Sequence, residues 1–465
     1  MTVQLYDDQR DLVTRVRQAM RRHKAVLMQS PTGSGKTQMA ADMIAGTRAK
    51  GTRSIFLVPR RELLRQTIET MQDHDAPFGV IAAGFTPNPF AKTQLATTGT
   101  LGKRLDKTTP PHVLFVDEAH FGGDELDRII KWAKAAGGWV VGLSATPTKL
   151  SGKGMGEWYD HMEQGLPLAD LIRLGRLSGY RLFAPSKPDL SGIKTVAGDY
   201  AKGELAGMME GDRVLIGNAV RHYREHAMGR LNVAFCVSRK HAEITAQSFR
   251  DQGVPAASID GTMDDEERSR IIRRFARREI LVLCNCELLT FGFDLAAAAK
   301  MNVTVEAMSD LRPTKSLALQ MQKWGRVLRM KPEPALIFDH AGNVERHGMP
   351  DDPREWTLAG SEKRGGGGEK TLPVRQCPEC YWVSRPTPVC PNCGFVHPVQ
   401  ARAIDEVEGD LAEITSRPKP SVEQAIVASW EGLDGLIRLG RSRGYPQPEL
   451  WAAKVMSARL AKRRA

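Results

Sequence analysis

The stretch VLFVDEAH (residues 113–120) joins four apolar residues, a strand fit for burial, to Asp117, Glu118 and His120. Two adjacent carboxylates at the end of a core strand demand a cation just beyond it, because ionised oxygens tolerate burial only when paired. A second stretch, SPTGSGKT (30–37), lies between an apolar run and a helical pattern. Gly33 and Gly35 let the backbone turn its N–H groups toward an anion, and the dipole of the following helix adds to the attraction. In such a loop Pro31, Thr32, Gly33, Ser34 and Gly35 wrap a triphosphate. Lys36 reaches its outer phosphates, and the Thr37 hydroxyl ligates Mg²⁺. The strict pattern has Gly where this chain has Ser30. Each stretch supplies what the other lacks. Asp117 and Thr37 hold the Mg²⁺ that ATP carries, and Glu118 polarises the water that attacks the γ-phosphate. The pair predicts a nucleoside triphosphatase.

Something must hold these loops at adjacent strand ends. The runs AVLMQS, SIFLVP, HVLFVD and WVVGLSAT alternate with helical patterns up to about residue 150, which predicts a parallel sheet covered by helices. The alternation resumes from about 213. The expected organisation is an α/β domain over 1–150, a connection over 151–212 and a second α/β domain over 213–345. A linker over 346–376, with four consecutive glycines, leads to a cysteine module over 377–397 and a helical basic tail over 398–465. The formal net charge of +12 favours a polyanionic partner. The acidic N-terminal stretch and the lack of a long apolar run fit a cytoplasmic protein rather than a secreted or membrane-spanning one.

SATP (144–147), TFGFD (290–294) and QKWGRVLR (322–329) follow the first two motifs in a fixed order, and VPRRELLRQ (58–66) falls between them. From about residue 5 to 345 the series resembles superfamily 2 DEAD/DEAH-box helicases. In detail it is most similar to the bacterial and phage RadD-like branch, which borders the motor subunits of restriction enzymes. The resemblance implies two RecA-like domains with ATP between them. It implies that Gln9 contacts the adenine edge and that Arg326 and Arg329 cross the cleft as arginine fingers. Gln322 and Asp294 would complete the cleft near the phosphate and the ribose, with His120, Ser144 and Thr146 coupling ATP state to movement. It further implies backbone contacts from Arg60, Arg61, Thr100, Arg104, Ser238 and Lys240, to single-stranded or forked DNA or to RNA, since such contacts carry no base readout.

CPECYWVSRPTPVCPNCG pairs Cys377 with Cys380 and Cys390 with Cys393 across a nine-residue spacer. Four thiolates at this spacing suit structural Zn²⁺ in a small ribbon or knuckle, with an iron–sulfur cluster as the alternative. Tyr381, Trp382 and Arg385 form either a stacking surface for single strands or packing over the metal. Cys236, Cys284 and Cys286 read as reduced core residues, and RSRIIRRFARR (268–278) as an amphipathic surface helix. The function expected is an ATP-dependent DNA helicase or translocase in replication, recombination or repair. The motor of a restriction-like system is a second reading. A structure-specific DNA-binding protein, with ATP only as a conformational ligand, is a third. Glu118, Arg326 and Arg329 favour hydrolysis over the last.

Overall fold

The computed structural model describes residues 4–73, 77–149, 152–185, 187–196, 198–289, 295–360, 372–398 and 432–462. The first apolar runs become Ala25–Gln29 (β1), Ser54–Val58 (β2), Gly79–Ile81 (β3), Thr93–Thr97 (β4), Val113–Val116 (β5), Trp139–Ser144 (β6) and His161–Gln164 (β7). They form a seven-stranded sheet in the order β3-β4-β2-β5-β6-β1-β7, parallel throughout. Helices cover both faces, so the strands are apolar along their length instead of alternating. The pleat still sorts them. Val26, Met28, Phe56 and Phe115 enter one core cluster, while Ala25, Leu27, Ile55 and Leu114 enter the other.

A second parallel sheet is built from Tyr180–Phe183 (β8), Asn232–Cys236 (β11), Ala256–Ile259 (β12), Val282–Cys286 (β13), Ala307–Asp310 (β14) and Ala335–Asp339 (β15). Its order is β12-β13-β11-β14-β15-β8. These are the two RecA-like domains that the alternation and the resemblance imply. Between β8 and β11 lie a short hairpin, Thr195–Val196 (β9) with Asp199–Tyr200 (β10), and the helices Lys202–Gly211 and Arg213–His226. Residues 151–212 thus do more than connect, since β7 and β8 close one edge of each sheet.

The chain beyond β15 turns back toward the first sheet. The Leu358 carbonyl accepts the N–H groups of Met155 at 2.9 Å and Gly156 at 3.0 Å. A Cβ on Gly154 would come within 2.2 Å of that carbonyl, so only glycine permits the approach. Before this strap reaches the first domain, the Tyr180 hydroxyl donates to Asp351 at 2.5 Å, fastening it to β8. The run of four glycines in the expected linker lies outside the described residues. In the C-terminal unit, described by itself, the helices Gly432–Ser442 and Pro448–Lys462 pack through Leu436 and Ala452, with Tyr445 edge-on to Trp451 at 5.1 Å. Among the described residues no helix is long and apolar enough to cross a membrane.

One buried ion pair braces the second domain. Lys323 and Asp310 are both inaccessible, with Lys323 Nζ 2.7 and 2.8 Å from the two carboxylate oxygens. Gln320 and Asn343 each donate to the same carboxylate at 3.0 Å, and the Arg312 carbonyl takes a further lysine proton at 2.9 Å. Lys323 lies on the helix Leu317–Val327, so this network fixes how that helix sits on the sheet. Lys323→Met, which strands the carboxylate, should lower the unfolding free energy by about 3–5 kcal/mol. The double variant with Asp310→Asn should recover part of that loss in the same denaturant titration.

Candidate active site

The strand order β5-β6-β1 sets three loops side by side at the carboxyl edge of the first sheet. The Ser30 N–H donates to the Ser144 carbonyl at 3.0 Å, tying the loop after β1 to the loop after β6. Ser30, the departure from the strict glycine pattern, closes the phosphate loop on itself: its hydroxyl lies 2.7 Å from that of Ser34. Gly33 and Gly35 have φ of 88° and 85°, the left-handed region that glycine occupies without strain. A Cβ on Gly35 would meet the Gln9 side-chain nitrogen at 2.5 Å. That nitrogen donates to the Ser34 carbonyl at 2.8 Å, and Gln9 Oε1 accepts the Tyr6 N–H at 2.9 Å. Gln9 therefore holds the loop through both ends of its amide. The Arg176 guanidinium lies 3.4 Å over the Tyr6 ring beside it.

Lys36 is buried and folds back onto the Ser30 and Pro31 carbonyls at 3.1 and 3.2 Å. Burial pulls its pKa down, helped by Arg326 and opposed by Glu118 and Asp117. Burial raises Asp117 to about 7, with the charge of Glu118 adding and Lys36 opposing. Glu118 takes a left-handed φ of 45°, and its buried Oε2 accepts no hydrogen bond, with His120 Nδ1 3.4 Å away. A raised carboxyl beside an orphaned carboxylate oxygen is the donor set a divalent cation would satisfy. The fit to a magnesium-bound triphosphate is good, with Thr37 half-buried at the head of the following helix.

From His120 a polar chain runs into the second domain. Gln322 donates to His120 Nε2 at 2.7 Å, and His120 Nδ1 lies 3.0 Å from the Ser144 hydroxyl. Burial lowers the His120 pKa, so the ring is neutral and its proton resides on Nδ1. Ser144 then donates to the Thr146 carbonyl at 2.6 Å. The three residues expected to couple ATP state to movement thus form one continuous relay with Gln322.

The second domain also presses on the phosphate loop through Gly325, which sits inside a helix. A Cβ there would fall 2.3 Å from that of Thr32. Arg326, on the same helix, is close enough for its charge to act on Lys36. Arg329 pairs with Leu177 in an isolated bridge, and Leu177 also packs against Gly33. Asp294 and the TFGFD stretch lie outside the described residues. The contacts of Gly325 and Leu177 were missed from sequence. A glycine in the middle of QKWGRVLR was the available signal, because it weakens a helix unless something must come close.

Comparison with known proteins decides the lineage. Residues 2–149 match the family described as type III restriction enzyme, res subunit, and residues 215–331 match the helicase conserved C-terminal domain. The chain belongs to the superfamily 2 helicases. A 51.5 kDa protein of a Lactococcus phage (isolate 7-9) is 29% identical over 357 residues, covering 76% of this chain and 74% of the phage protein. A Schizosaccharomyces pombe protein bearing the name of a mitochondrial ATP-dependent helicase, irc3, is 26% identical over 353 residues, or 71% of this chain. The helicase spans only 55% of that relative. A fragment assigned as the HsdR subunit of a type I restriction enzyme from Vibrio vulnificus YJ016 shares the fold, with a TM-score of 0.55 and 17% identity. That likeness covers 74% of this chain and 65% of the other. A variant of S. cerevisiae Dbp5 bound to RNA and ADP BeF3 shares it too, at a TM-score of 0.50 and 16% identity over 76% of this chain and 94% of the other. The helicase is an ATP-hydrolysing motor of a nucleic-acid-binding fold.

The residues expected along a nucleic-acid backbone lie on both domains. Arg60, Arg61 and Arg104 are exposed, and Thr100 accepts the Thr97 hydroxyl at 3.0 Å. Ser238 caps the helix Arg239–Asp251 by accepting the His241 N–H at 2.9 Å, and Lys240 is exposed in its first turn. Arg268, Ile272 and Phe275 of the expected amphipathic helix are buried, while Arg270, Arg274, Arg277 and Arg278 are exposed.

The cysteine module of the helicase docks on the second sheet. The four sulfurs lie within 4.8 Å of one another, with Cys377–Cys393 at 3.6 Å and Cys380–Cys390 at 3.7 Å. A tetrahedron with Zn–S of about 2.3 Å has S···S edges of about 3.8 Å, so the set fits zinc. Of the two readings of the aromatic pair, the structure favours packing, though against protein rather than over the metal. Trp382 stands edge-on to Phe183 at 5.4 Å, and Ala184 donates to the Tyr381 carbonyl at 3.0 Å. Arg385 pairs with Asp352 rather than facing solvent alone. The strands Arg375–Gln376 (β16) and Val383–Ser384 (β17) complete the module.

Two outcomes test these contacts. Gly325→Ala should improve the helix by about 1 kcal/mol of propensity yet drive Thr32 away, so melting temperature should hold while kcat/KM for ATP falls about 100-fold. Stripping zinc with a chelator, or Cys390→Ser, should free the β8 edge. The Ala184 amide should then exchange with deuterium roughly tenfold faster or more, and the protein should melt earlier.

Proposed function

We propose that the helicase couples ATP hydrolysis to movement along, or opening of, DNA in replication, recombination or repair. The observation that carries this is the meeting of Gln322 with His120. This hydrogen bond joins the carboxyl edge of the first sheet to the second domain, which supports coupling between them. Lys36 binds the outer phosphates, Thr37 and Asp117 hold magnesium, and Glu118 positions the attacking water. Magnesium supplies neutralisation of the charge that builds on the phosphate oxygens. Arg326 and Arg329 approach from the second domain, and the relay through His120, Ser144 and Thr146 passes the change to the first sheet. Loss of the γ-phosphate removes the charge that holds the arginines, which lets the domains part. Gln9 adds a contact to the base and Asp294 one to the ribose. Arg60, Arg61, Thr100, Arg104, Ser238 and Lys240 grip the strand without reading sequence. The likeness to a protein of a Lactococcus phage supports a phage setting for that activity. The restriction-enzyme description of the N-terminal family favours a second reading, a motor that works with a separate nuclease chain.

Steady-state hydrolysis measured alone and with single-stranded, forked or duplex DNA or RNA tests the first reading. Strong stimulation by DNA, lost in Glu118→Gln, is expected. Hydrolysis indifferent to every nucleic acid would sink it. A pH series adds a second check. Burial and Glu118 raise Asp117 to about 7, so a proton competes with the cation below that pH and leaves above it. The Mg²⁺ concentration giving half-maximal rate should therefore fall as pH rises from about 6 to about 8, by up to roughly tenfold per unit on the acid side.

A further inference from the structure

Two of the side chains expected to face a nucleic-acid backbone are already answered by a carboxylate of the same chain. Glu210, in the last turn of the Lys202–Gly211 helix, accepts the Ser238 hydroxyl at 2.6 Å and lies 3.2 Å from Lys240 Nζ. Ser238 caps a thirteen-residue helix, so this carboxylate stands at a positive helix end, between a hydroxyl and an ammonium. Those are the donors a phosphodiester oxygen seeks. The Ser238 hydrogen bond and the Lys240 charge hold the Glu210 pKa below its ordinary value, so it is ionised at neutral pH.

Two further carboxylates pair with other basic residues and lie within the charge field of Arg61 and Arg60. Asp265 of the second domain pairs with Arg65 of the first at 2.7 Å, and Arg61 adds to the positive field upon it. Glu287, just past β13, pairs with Lys202 at 2.7 Å and lies 3.5 Å from Arg312, with Arg60 contributing from the first domain. Its φ of 63° is one that non-glycine side chains rarely adopt. These pairs are exchangeable: the Lys240 and Lys202 side chains are 74% and 77% exposed, where ion pairs are weak.

We propose that Glu210, with Glu287 and Asp265, stands in for backbone phosphates when no strand is bound, so that strand binding exchanges an internal carboxylate for a phosphate. This rests on the strand-groove reading given under Proposed function. The exchange has a signature that simple bracing lacks. A phosphate arriving at a bare lysine releases a condensed counterion, which makes binding salt-dependent. A phosphate that displaces Glu210 frees a carboxylate that recruits a cation, and the two effects oppose. Binding in the native chain is therefore weaker, and less sensitive to salt, than its basic residues alone would make it.

The test is fluorescence anisotropy on the full chain with a labelled oligothymidylate and, in parallel, an oligouridylate, across a salt series. Wild type, Glu210→Gln, Lys240→Gln and the double variant are compared, each checked for its melting temperature. Glu210→Gln should bind about twofold to fivefold more tightly, from the weak pair it removes. The slope of log K against log salt should steepen by roughly 0.7. Both gains should vanish in the Lys240→Gln background. Glu287→Gln gives an independent arm with the same expectation should Glu210→Gln melt early. Unchanged affinity and slope in folded carboxylate variants, with wild type binding normally, would overturn the exchange alone. If no protein binds either oligonucleotide, the strand-groove reading falls and the exchange falls with it.

Discussion

A buried lysine and a buried carboxylate, with a second, half-buried carboxylate beside them at the edge of a parallel sheet, set the terms for the rest of the molecule. None of Lys36, Asp117 and Glu118 could be buried singly without neutralising itself. Together they partly compensate, with Lys36 holding down a proton affinity that burial and Glu118 raise on Asp117. The compensation is incomplete, since Glu118 Oε2 has no hydrogen-bond partner and Asp117 remains near neutrality. A site in that condition binds charge readily. The parallel order β5-β6-β1 assembles it, because only strands running the same way deliver three loops to one edge.

The second domain responds to the same edge through two kinds of contact. One is polar: Gln322 reads the neutral His120 as an acceptor, which fixes the tautomer that Ser144 then meets. The other is steric, the glycine-to-threonine contact of Gly325 on Thr32. Both arise from one helix, and that helix is anchored from behind by the buried Lys323–Asp310 pair. A charge network in the core thus controls the placement of groups at the cleft.

The local chemistry was legible in the sequence. SPTGSGKT and VLFVDEAH could be placed at the ends of core strands by residue type and spacing, and the two α/β units follow from the alternation of apolar runs. What could not be read depends on partners distant in the chain. Glu210 and Ser238 meet across an intervening helix and the strand β11, and nothing near Trp382 in sequence indicates Phe183 as its neighbour. Asp310 and Lys323 would pass for surface charges on composition alone. The aromatic pair of the cysteine module satisfied two patterns equally, and only the edge strand β8 beside it separates them.

The strap beyond β15 bears on how the two halves can move. Asp351 and Asp352 are held on the second-domain side by Tyr180 and Arg385, while Leu358 is held on the first-domain side by Met155 and Gly156. The halves are therefore joined by two spans of chain, this one and the stretch leading from β7 to β8. A single span acts as a pivot and permits swivelling in any direction. These two spans run side by side, with Gln164 donating to the Trp356 carbonyl at 3.3 Å and Tyr180 holding Asp351, so together they make one doubled connection that bends and twists less easily than a single chain. The cysteine module fastens the second-domain end of that doubled connection, where Arg385 pairs with Asp352 and Trp382 packs on Phe183.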